Sequence, residues 1–252
     1  MALSAFDFNA FDLPTKVRRT GAPADDGIAT QIALSTALVS VFRGNFCDVI
    51  LPNRKSVSFA KNEVIYTVGD KERTLFFLQN GLVKIGTITT NGNELIYEIR
   101  KGGDVVGELC VTEQERLDRA IALEATDAIP VPFEDIKSLL MTNSHLTATL
   151  IDVFCAALKH AYAQINTLAG DNTIHRIAKI LVNLALKIGR PSGLLVEIPA
   201  YLTQEEIAQM VAARRERVST GLNFLRRQGM VQYTNRGRLL IHLDGLRSLS
   251  VS

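Results

Sequence analysis

Residues 203–228 read TQEEIAQMVAARRERVSTGLNFLRRQ, and Gly229 follows them. Thr203 and Glu206 have the spacing of a capping box, which predicts a helix that begins at this point. A second helix is predicted after a break near 212–213. Its apolar residues recur four and three positions apart and predict one buried side: Val218, Leu222 and Leu225. The stretch therefore predicts two short helices joined by a tight turn.

The outward side of the second helix has an unusual composition. Arginine and short hydroxyl side chains gather near its N-terminus, where a merely solvated helix would favour Glu and Lys pairs. In the major groove of DNA, arginine spans O6 and N7 of guanine, and glutamate accepts from N4 of cytosine. The candidate DNA-binding residues of the two helices are Thr203, Gln204, Arg214, Arg215, Glu216, Arg217, Ser219, Thr220 and Asn223.

A β-hairpin is predicted directly after these helices. Its strands are residues 230–233 and 239–243, and Arg236 and Arg238 lie in the turn between them. A hairpin of this kind forms a wing whose arginines contact phosphates. Two helices, a turn and a wing together predict sequence-specific binding to double-stranded DNA.

Charge is distributed unevenly along the chain. Residues 1–169 hold 16 Lys and Arg against 20 Asp and Glu, whereas residues 170–252 hold 12 against 6. A basic C-terminal module on a mildly acidic body fits a protein that meets DNA phosphates with one end only. The sequence has no P-loop, GxGxxG, HExxH or GxSxG motif, so an enzyme is not expected.

The N-terminal half divides into two segments. Residues 1–30 mix prolines, glycines and charges and predict a loosely ordered extension. Residues 31–142 are assigned to a β domain, because short apolar and β-branched runs alternate with turn residues from Pro52 to Pro132. Neither a signal sequence nor a membrane span is recognisable, which predicts a cytoplasmic protein with no membrane partner.

Helices are predicted from residue 132 onward, because no proline occurs between Pro132 and Pro191. Residues 143–170 predict one helix that is longer than a small sandwich can cover. Part of its apolar stripe therefore packs either on its own β domain or against the same helix of a second subunit. The stripe of residues 143–170 consists of Leu146, Leu150, Val153, Ala157, Ala161, Ile165 and Leu168.

Residues 171–252 begin with a helix capped by Asn172 or Thr173. They are assigned to the DNA-binding domain.

The cysteines and histidines give no metal pattern. Cys47, Cys110 and Cys155 lie far apart, with no CxxC pair and no cysteine cluster near the N-terminus. The four histidines are equally scattered. No metal ion, haem or iron-sulfur cluster is therefore expected.

From about residue 52 to 243 the chain resembles the cyclic-AMP receptor protein and FNR (CRP-FNR) family of bacterial regulators. The likeness rests on the glycines of the β turns, the long helix, 107–109, 118–120 and 202–216. It implies an α+β fold with an N-terminal antiparallel, jelly-roll-like β-roll of the cyclic-nucleotide-binding type, a long central dimerisation helix and a C-terminal winged helix-turn-helix. It also implies a homodimer on a two-fold symmetric DNA operator, with RNA polymerase as a candidate partner.

The resemblance further implies an effector site in the β-roll, next to the dimer helix. In members that bind cyclic nucleotides, a glutamate holds the ribose 2′-hydroxyl and a later arginine pairs with the cyclic phosphate; Glu108 and Arg119 stand at matching positions. A small anionic effector, with a cyclic nucleotide such as cyclic AMP first among them, is therefore expected. The candidate effector-binding residues are Gly107, Glu108, Leu109, Arg119, Ala120 and Tyr162.

Several positions depart from the family pattern. Ala161 and Tyr162 replace a Thr-Ser pair that touches adenine, and Glu113, Glu115 and Asp118 crowd the segment before Arg119. A cyclic dinucleotide or another anion, a regulator without an effector, and a cyclic-nucleotide module that acts on a protein partner are the alternatives. In the DNA-binding domain Ala212, Arg214 and Thr220 replace a glycine, a serine and an arginine of the family pattern. These replacements predict a half-site that differs from that of the cyclic-AMP receptor protein at one base pair.

Overall fold

The computed structural model of the protein describes residues 50–51, 53–111, 115–198 and 202–251. The predicted N-terminal extension, residues 1–30, lies outside the described residues. So does the first part of the predicted β domain, residues 31–49.

The N-terminal domain is a β-roll of two four-stranded antiparallel sheets, as the resemblance implied. Its sheets have the orders β1-β8-β3-β6 and β2-β7-β4-β5. Glycine is required where these strands turn most tightly: Gly81 has φ +84°, and a Cβ there would lie 2.3 Å from Thr126 Oγ1. The strands are β1 (Val57–Phe59), β2 (Val64–Tyr66), β3 (Thr74–Leu78), β4 (Leu82–Ile88), β5 (Glu94–Lys101), β6 (Val105–Val106), β7 (Arg119–Ala122) and β8 (Thr126–Pro132).

Three helices follow the roll: α1 (Phe133–Thr142), α2 (Ser144–Gly170) and α3 (Thr173–Ile188). The cap predicted for α3 is confirmed at Asn172, and Asn143 caps α2 in the same way, since each side chain accepts a backbone N–H of the helix that it precedes. The apolar side of α2 differs from the predicted stripe. Leu146 and Leu150 pack against the core of the roll, whereas farther along an exposed series includes Ile151, Phe154 and Leu158, which the prediction omitted.

The C-terminal domain contains the predicted helix pair and hairpin. The helices are α4 (Gln204–Val211) and α5 (Arg215–Arg227), followed by β11 (Val231–Tyr233), β12 (Leu239–Ile241) and α6 (Leu243–Val251). Helix α6 and an earlier hairpin were not predicted from the sequence; the strands of this hairpin are β9 (Arg190–Ser192) and β10 (Leu195–Glu197). The turn-forming Pro191-Ser192-Gly193 was the available signal for that hairpin. These strands form a third sheet with the order β11-β12-β10-β9.

The two domains are packed together through apolar side chains. Leu82, Ile99 and Leu123 of the roll belong to the same buried cluster as Leu184 and Ile188 of α3. Helix α4 also lies against β5 of the roll. The DNA-binding domain is therefore docked on one sheet of the roll. Within the described residues no helix is both long and apolar enough to cross a membrane.

Candidate nucleic-acid interface and roll interior

The capping box that the sequence predicted opens α4. Thr203 Oγ1 accepts from the backbone N–H of Glu206 at 3.1 Å, and Glu206 Oε2 accepts from the backbone N–H of Thr203 at 2.8 Å. Two otherwise unpaired helix donors are thereby satisfied. This end of α4 is consequently well defined in position.

The break between α4 and α5 occurs at Ala212, as predicted. Ala212 has φ 49° and ψ 50°, the left-handed conformation that glycine adopts without steric cost. Arg176 of α3, which the sequence analysis did not single out, donates from Nη1 to the carbonyl of Val211 at 2.9 Å. Its cation thus lies at the C-terminus of α4, where the helix dipole favours positive charge.

The inner side of α5 is held firmly against the domain core. Val218, Leu222 and Leu225 are buried, as the spacing predicted. Gly221 allows close approach of α3, because a Cβ there would lie 2.6 Å from Ile177 Cδ1. The orientation of α5 is therefore fixed, and its opposite side faces outward.

Most of the predicted DNA-contacting side chains of this region lie on that outward side of α5, and Thr203 and Gln204 lie at the start of α4. Arg214 precedes the first turn of α5 and opens its N-terminus. Thr220 donates from Oγ1 to the carbonyl of Glu216 at 3.0 Å, which restrains the hydroxyl to the helix surface. The N-terminus of α5 thus presents both positive charge and carboxylate to solvent. The exposed members are Thr203, Arg214, Arg215, Glu216, Arg217, Thr220 and Asn223, and the partly exposed ones are Gln204 and Ser219.

The two arginines of the wing have different surroundings. Arg236 is exposed at the tip of the hairpin between β11 and β12. Arg238 is half-buried, and its Nη1 lies 2.9 Å from Glu197 Oε1 of β10. An ion pair of this kind ties the wing to β10. At the other end of α5, Arg226 lies over the ring of Tyr233, 5.5 Å from its centroid, so a further arginine adjoins the wing.

The predicted effector residues do not all share partners. Gly107 and Glu108 lie at the end of β6, where Glu108 opens a short 3₁₀ helix, Glu108–Val111. Arg100 of β5 donates from Nη2 to Glu108 Oε1 at 2.8 Å. Arg119 instead lies 3.9 Å, from Nη1, from Glu94 Oε1. The carboxylate of Glu108 and the guanidinium of Arg119 therefore each have a partner from β5.

Strand alternation separates Arg119 from its neighbours along β7. Ala120 is fully buried, and Asp118, which precedes the strand, is also buried and accepts from the Tyr66 hydroxyl at 3.2 Å. Burial raises the pKa of Asp118 to about 6, and the nearby Glu108 carboxylate contributes to that rise. Asp118 therefore points into the interior of the roll, whereas Arg119 faces Glu94.

Arg116 lies inside the roll and was not among the residues predicted from the sequence. It is 2% exposed, and its guanidinium donates to the carbonyls of Gly107 and Thr74. Glycine is required at position 107, because φ is +91° there and a Cβ would lie 2.9 Å from the Thr74 carbonyl oxygen and 2.6 Å from Arg116 Nη1. No sequence pattern distinguished this buried arginine from the neighbouring surface charges.

The remaining predicted effector residues lie near the surface. Leu109 is 42% exposed. Tyr162 is 59% exposed and lies on α2 among the exposed apolar side chains of that helix. Close to it, Gln164 donates from Nε2 to the carbonyl of Tyr97 in β5 at 3.3 Å. This part of α2 thus lies beside the roll.

Both domains match known protein families. Residues 56–143 match the cyclic nucleotide-binding domain family, and residues 175–249 match the Crp-like helix-turn-helix domain family. The two matches together cover the roll, α1 and the DNA-binding domain.

Several known proteins are similar to this chain over most of its length. The anaerobic regulatory protein of Bacillus subtilis is 27% identical over 186 residues, which cover 72% of this chain and 77% of that protein. A CRP-like cAMP-activated global transcriptional regulator of Mycobacterium tuberculosis is 26% identical over 73% of this chain and 83% of its own length. The solved structure of a CRP/FNR-family transcriptional regulator from Thermus thermophilus has a TM-score of 0.64 at 25% identity and covers 79% of this chain and 99% of that one.

Proposed function

The chain belongs to the CRP-FNR family of DNA-binding transcription regulators, and from that premise we propose that it binds a two-fold symmetric operator as a homodimer. The observation that carries this proposal is the exposed N-terminus of α5. Arg215 and Glu216 project from a helix whose other side is fully buried. We also propose that the protein acts in the cytoplasm.

Base recognition is assigned to the first turns of α5. Arg215 suits a guanine and Glu216 suits a cytosine, because their side chains complement the major-groove edges of those bases. Thr220 has a hydroxyl group at the position where the family pattern has an arginine, so we propose that the half-site differs from the family's half-site at the base pair that Thr220 faces. Arg236 in the wing is assigned to a phosphate, which contributes affinity without sequence preference.

Dimerisation is assigned to the exposed apolar series on α2. Its positions alternate at spacings of three and four over residues 151–168, the pattern of a two-stranded coiled-coil seam. Leu158 is 52% exposed and Ile165 is 58% exposed, although both are large aliphatic side chains. A second copy of the same helix would bury them and would place two DNA-binding domains on one operator. The series is Ile151, Phe154, Leu158, Ala161, Ile165 and Leu168.

Sequence-specific binding is tested by substituting Glu216. An operator is first selected from random duplexes with the full-length protein, and affinities are then measured by fluorescence anisotropy at fixed salt. Glu216→Ala should weaken discrimination at one base pair of each half-site by about 1–3 kcal/mol. Glu205→Ala, which removes an equally exposed carboxylate from α4, should leave discrimination unchanged. Equal specificity of Glu216→Ala and the unaltered protein would exclude Glu216 as a base reader.

For control of the regulator we propose a cyclic nucleotide in the roll, since this domain matches the cyclic nucleotide-binding family. Such a ligand would contact Glu108 through its ribose and Arg119 through its phosphate. A specific observation favours a second candidate, a regulator that needs no nucleotide: Glu108 is already paired with Arg100, and Asp118 is turned into the roll interior. Arg119, the residue assigned to the phosphate, is likewise already paired, since its Nη1 lies 3.9 Å from Glu94 Oε1.

Calorimetry separates the two candidates. The purified protein is titrated with cyclic AMP, cyclic GMP and cyclic di-GMP, and operator affinity is measured with and without each. Saturable heat with one nucleotide, lost in Arg119→Ala, supports control by that nucleotide. Absence of heat with all three, together with normal operator binding by Arg119→Ala, supports the regulator that needs no nucleotide.

A further inference from the structure

A continuous series of charged side chains crosses the contact between the two domains. Arg100 Nη2 lies 2.8 Å from Glu108 Oε1 and 3.0 Å from Glu98 Oε2. The other oxygen of Glu98 accepts from Lys187 Nζ of α3. Lys187 Nζ is also 3.7 Å from Asp104 Oδ2. The series therefore runs from the Gly107-Glu108 turn of the roll into the DNA-binding domain.

These groups are largely shielded from water, although the side chains of Glu98 and Glu108 are 23% and 20% exposed. The side chains of Lys187 and Arg100 are 8% and 12% exposed, and that of Asp104 is 3% exposed. Burial alone lowers the pKa of Arg100, but the carboxylates of Glu98, Glu108 and Asp104 more than offset it and leave the pKa above its ordinary value. Buried charges interact strongly because little solvent screens them. Each member therefore senses a change in its neighbours.

The same contact is closed by two further interactions. Lys101 donates from Nζ to the carbonyl of Lys187 at 2.7 Å, close to the end of α3. Ile99, which lies between Glu98 and Arg100 in β5, is buried in the cluster that contains Leu184 and Ile188. Strand β5 thus holds α3 through the Lys101 ammonium, which donates to a carbonyl of α3, and through the apolar side chain of Ile99.

Two members of the series each contact two partners, whose charge is opposite to their own. Arg100 divides its guanidinium between Glu98 and Glu108, and Glu98 divides its carboxylate between Arg100 and Lys187. When Glu108 is neutralised or engaged by another group, Arg100 is left to Glu98. Glu98 then holds Lys187 less strongly, because its carboxylate has to neutralise a larger share of the charge of Arg100.

We infer that Glu108, Arg100, Glu98 and Lys187 form an ionic relay through which the group bound to Glu108 adjusts how tightly the DNA-binding domain is held on the roll. This inference rests on the proposed function only in taking Glu108 as the residue that an effector contacts. The relay itself is a property of the protein without ligand or DNA.

Hydrogen exchange of the full-length protein, measured without DNA or nucleotide, tests the relay. Glu108→Gln should speed exchange of the backbone amides in the last turn of α3 and in α4 by about five- to tenfold, because weaker domain contact allows local opening. Lys187→Met, which removes the last member, should speed exchange of the same amides. The double variant should resemble Lys187→Met alone, because both substitutions act on one series.

Glu94→Gln is the matched control. It makes the same substitution on β5, and its side chain is 22% exposed against 20% for Glu108, but its partners are Lys84 and Arg119. It should leave exchange in α3 and α4 unchanged, and protection of β3 and β8 shows in every variant that the roll is folded. Where Glu108→Gln loses that protection, Glu98→Gln replaces it, with the same expected acceleration in α3 and α4.

Unchanged exchange in α3 and α4 of a folded Glu108→Gln protein, or additive effects in the double variant, would overturn the relay. Operator binding by the unaltered protein is measured separately. Its failure would remove the proposed function without affecting the exchange result, so the two failures are distinguishable.

Discussion

The guanidinium carbon of Arg116 lies 3.9 Å from the centroid of the Tyr66 ring, in the interior of the β-roll. Its two terminal nitrogens donate to the carbonyls of Gly107 and Thr74. One buried cation thus joins the start of β3, the end of β6 and β2. Its burial and these contacts make Arg116 part of the roll's structure rather than a surface charge.

Substitution of Arg116 should destabilise the roll. Arg116→Met removes the cation–π contact and leaves two buried carbonyls without their donor, so we expect a loss of about 3–5 kcal/mol in the free energy of unfolding. Urea denaturation of the full-length protein, followed by circular dichroism, measures it. Arg119→Met, at a less buried arginine with a 3.9 Å ion pair, should cost much less, and equal losses would contradict the assigned role.

Asp118 should make stability depend on pH between about 4 and 6. The pKa of its carboxyl is about 6 in the folded protein against 3.8 when unfolded, so the folded state binds more protons in this window. Stability from this group is consequently lost as pH rises through it. Asp118→Asn, which still accepts from Tyr66, should raise the free energy of unfolding at pH 7.5 by up to about 3 kcal/mol and flatten the profile.

Thermal denaturation at several pH values checks the Asp118 prediction. Asp127 provides a control of opposite sign, because hydrogen bonds from Ser58 and Asn80 lower its pKa. Asp127→Asn should therefore reduce stability at neutral pH and leave the step between pH 4 and 6 in place. If the loss of stability between pH 4 and 6 persists in Asp118→Asn, a group other than Asp118 causes it.

Ala212 occupies a backbone conformation suited to glycine. Ala212→Gly should stabilise the DNA-binding domain by about 1 kcal/mol, because φ 49° is strained for a residue with a Cβ. Denaturant titration gives the change. Ala213→Gly, one residue farther where φ is not positive, should lower stability instead through the greater chain entropy of glycine. A loss with Ala212→Gly would argue against strain at the turn.

The exposed side chains of α2 should control the oligomeric state. Leu158→Glu places a charge in the proposed seam and should convert the dimer to monomer, with weaker operator binding as a consequence. Light scattering after size-exclusion chromatography reports the mass. Met141→Glu introduces the same charge at a residue of α1 that is 80% exposed, and should leave the dimer intact. A monomeric unaltered protein would refute the assignment.

Local sequence patterns were sufficient for much of the fold. The capping box of Thr203 and Glu206, the break at Ala212 and the buried series of α5 depend on residues close together in the chain, and the structure contains all of them. The β structure predicted between Pro52 and Pro132 is present for the same reason, since alternation and turn residues are local properties. The family resemblance then supplied the arrangement of the domains.

The partners of the charged side chains were decided only by tertiary structure. Arg116 and Arg119 are three residues apart in an acidic segment, yet one is buried against Tyr66 and the other lies beside Glu94. The ionic relay from Glu108 to Lys187 joins strands and a helix that are distant in sequence. Spacing determines which way a side chain points within its own element, whereas ion pairs depend on which elements packing brings together and how far it excludes water.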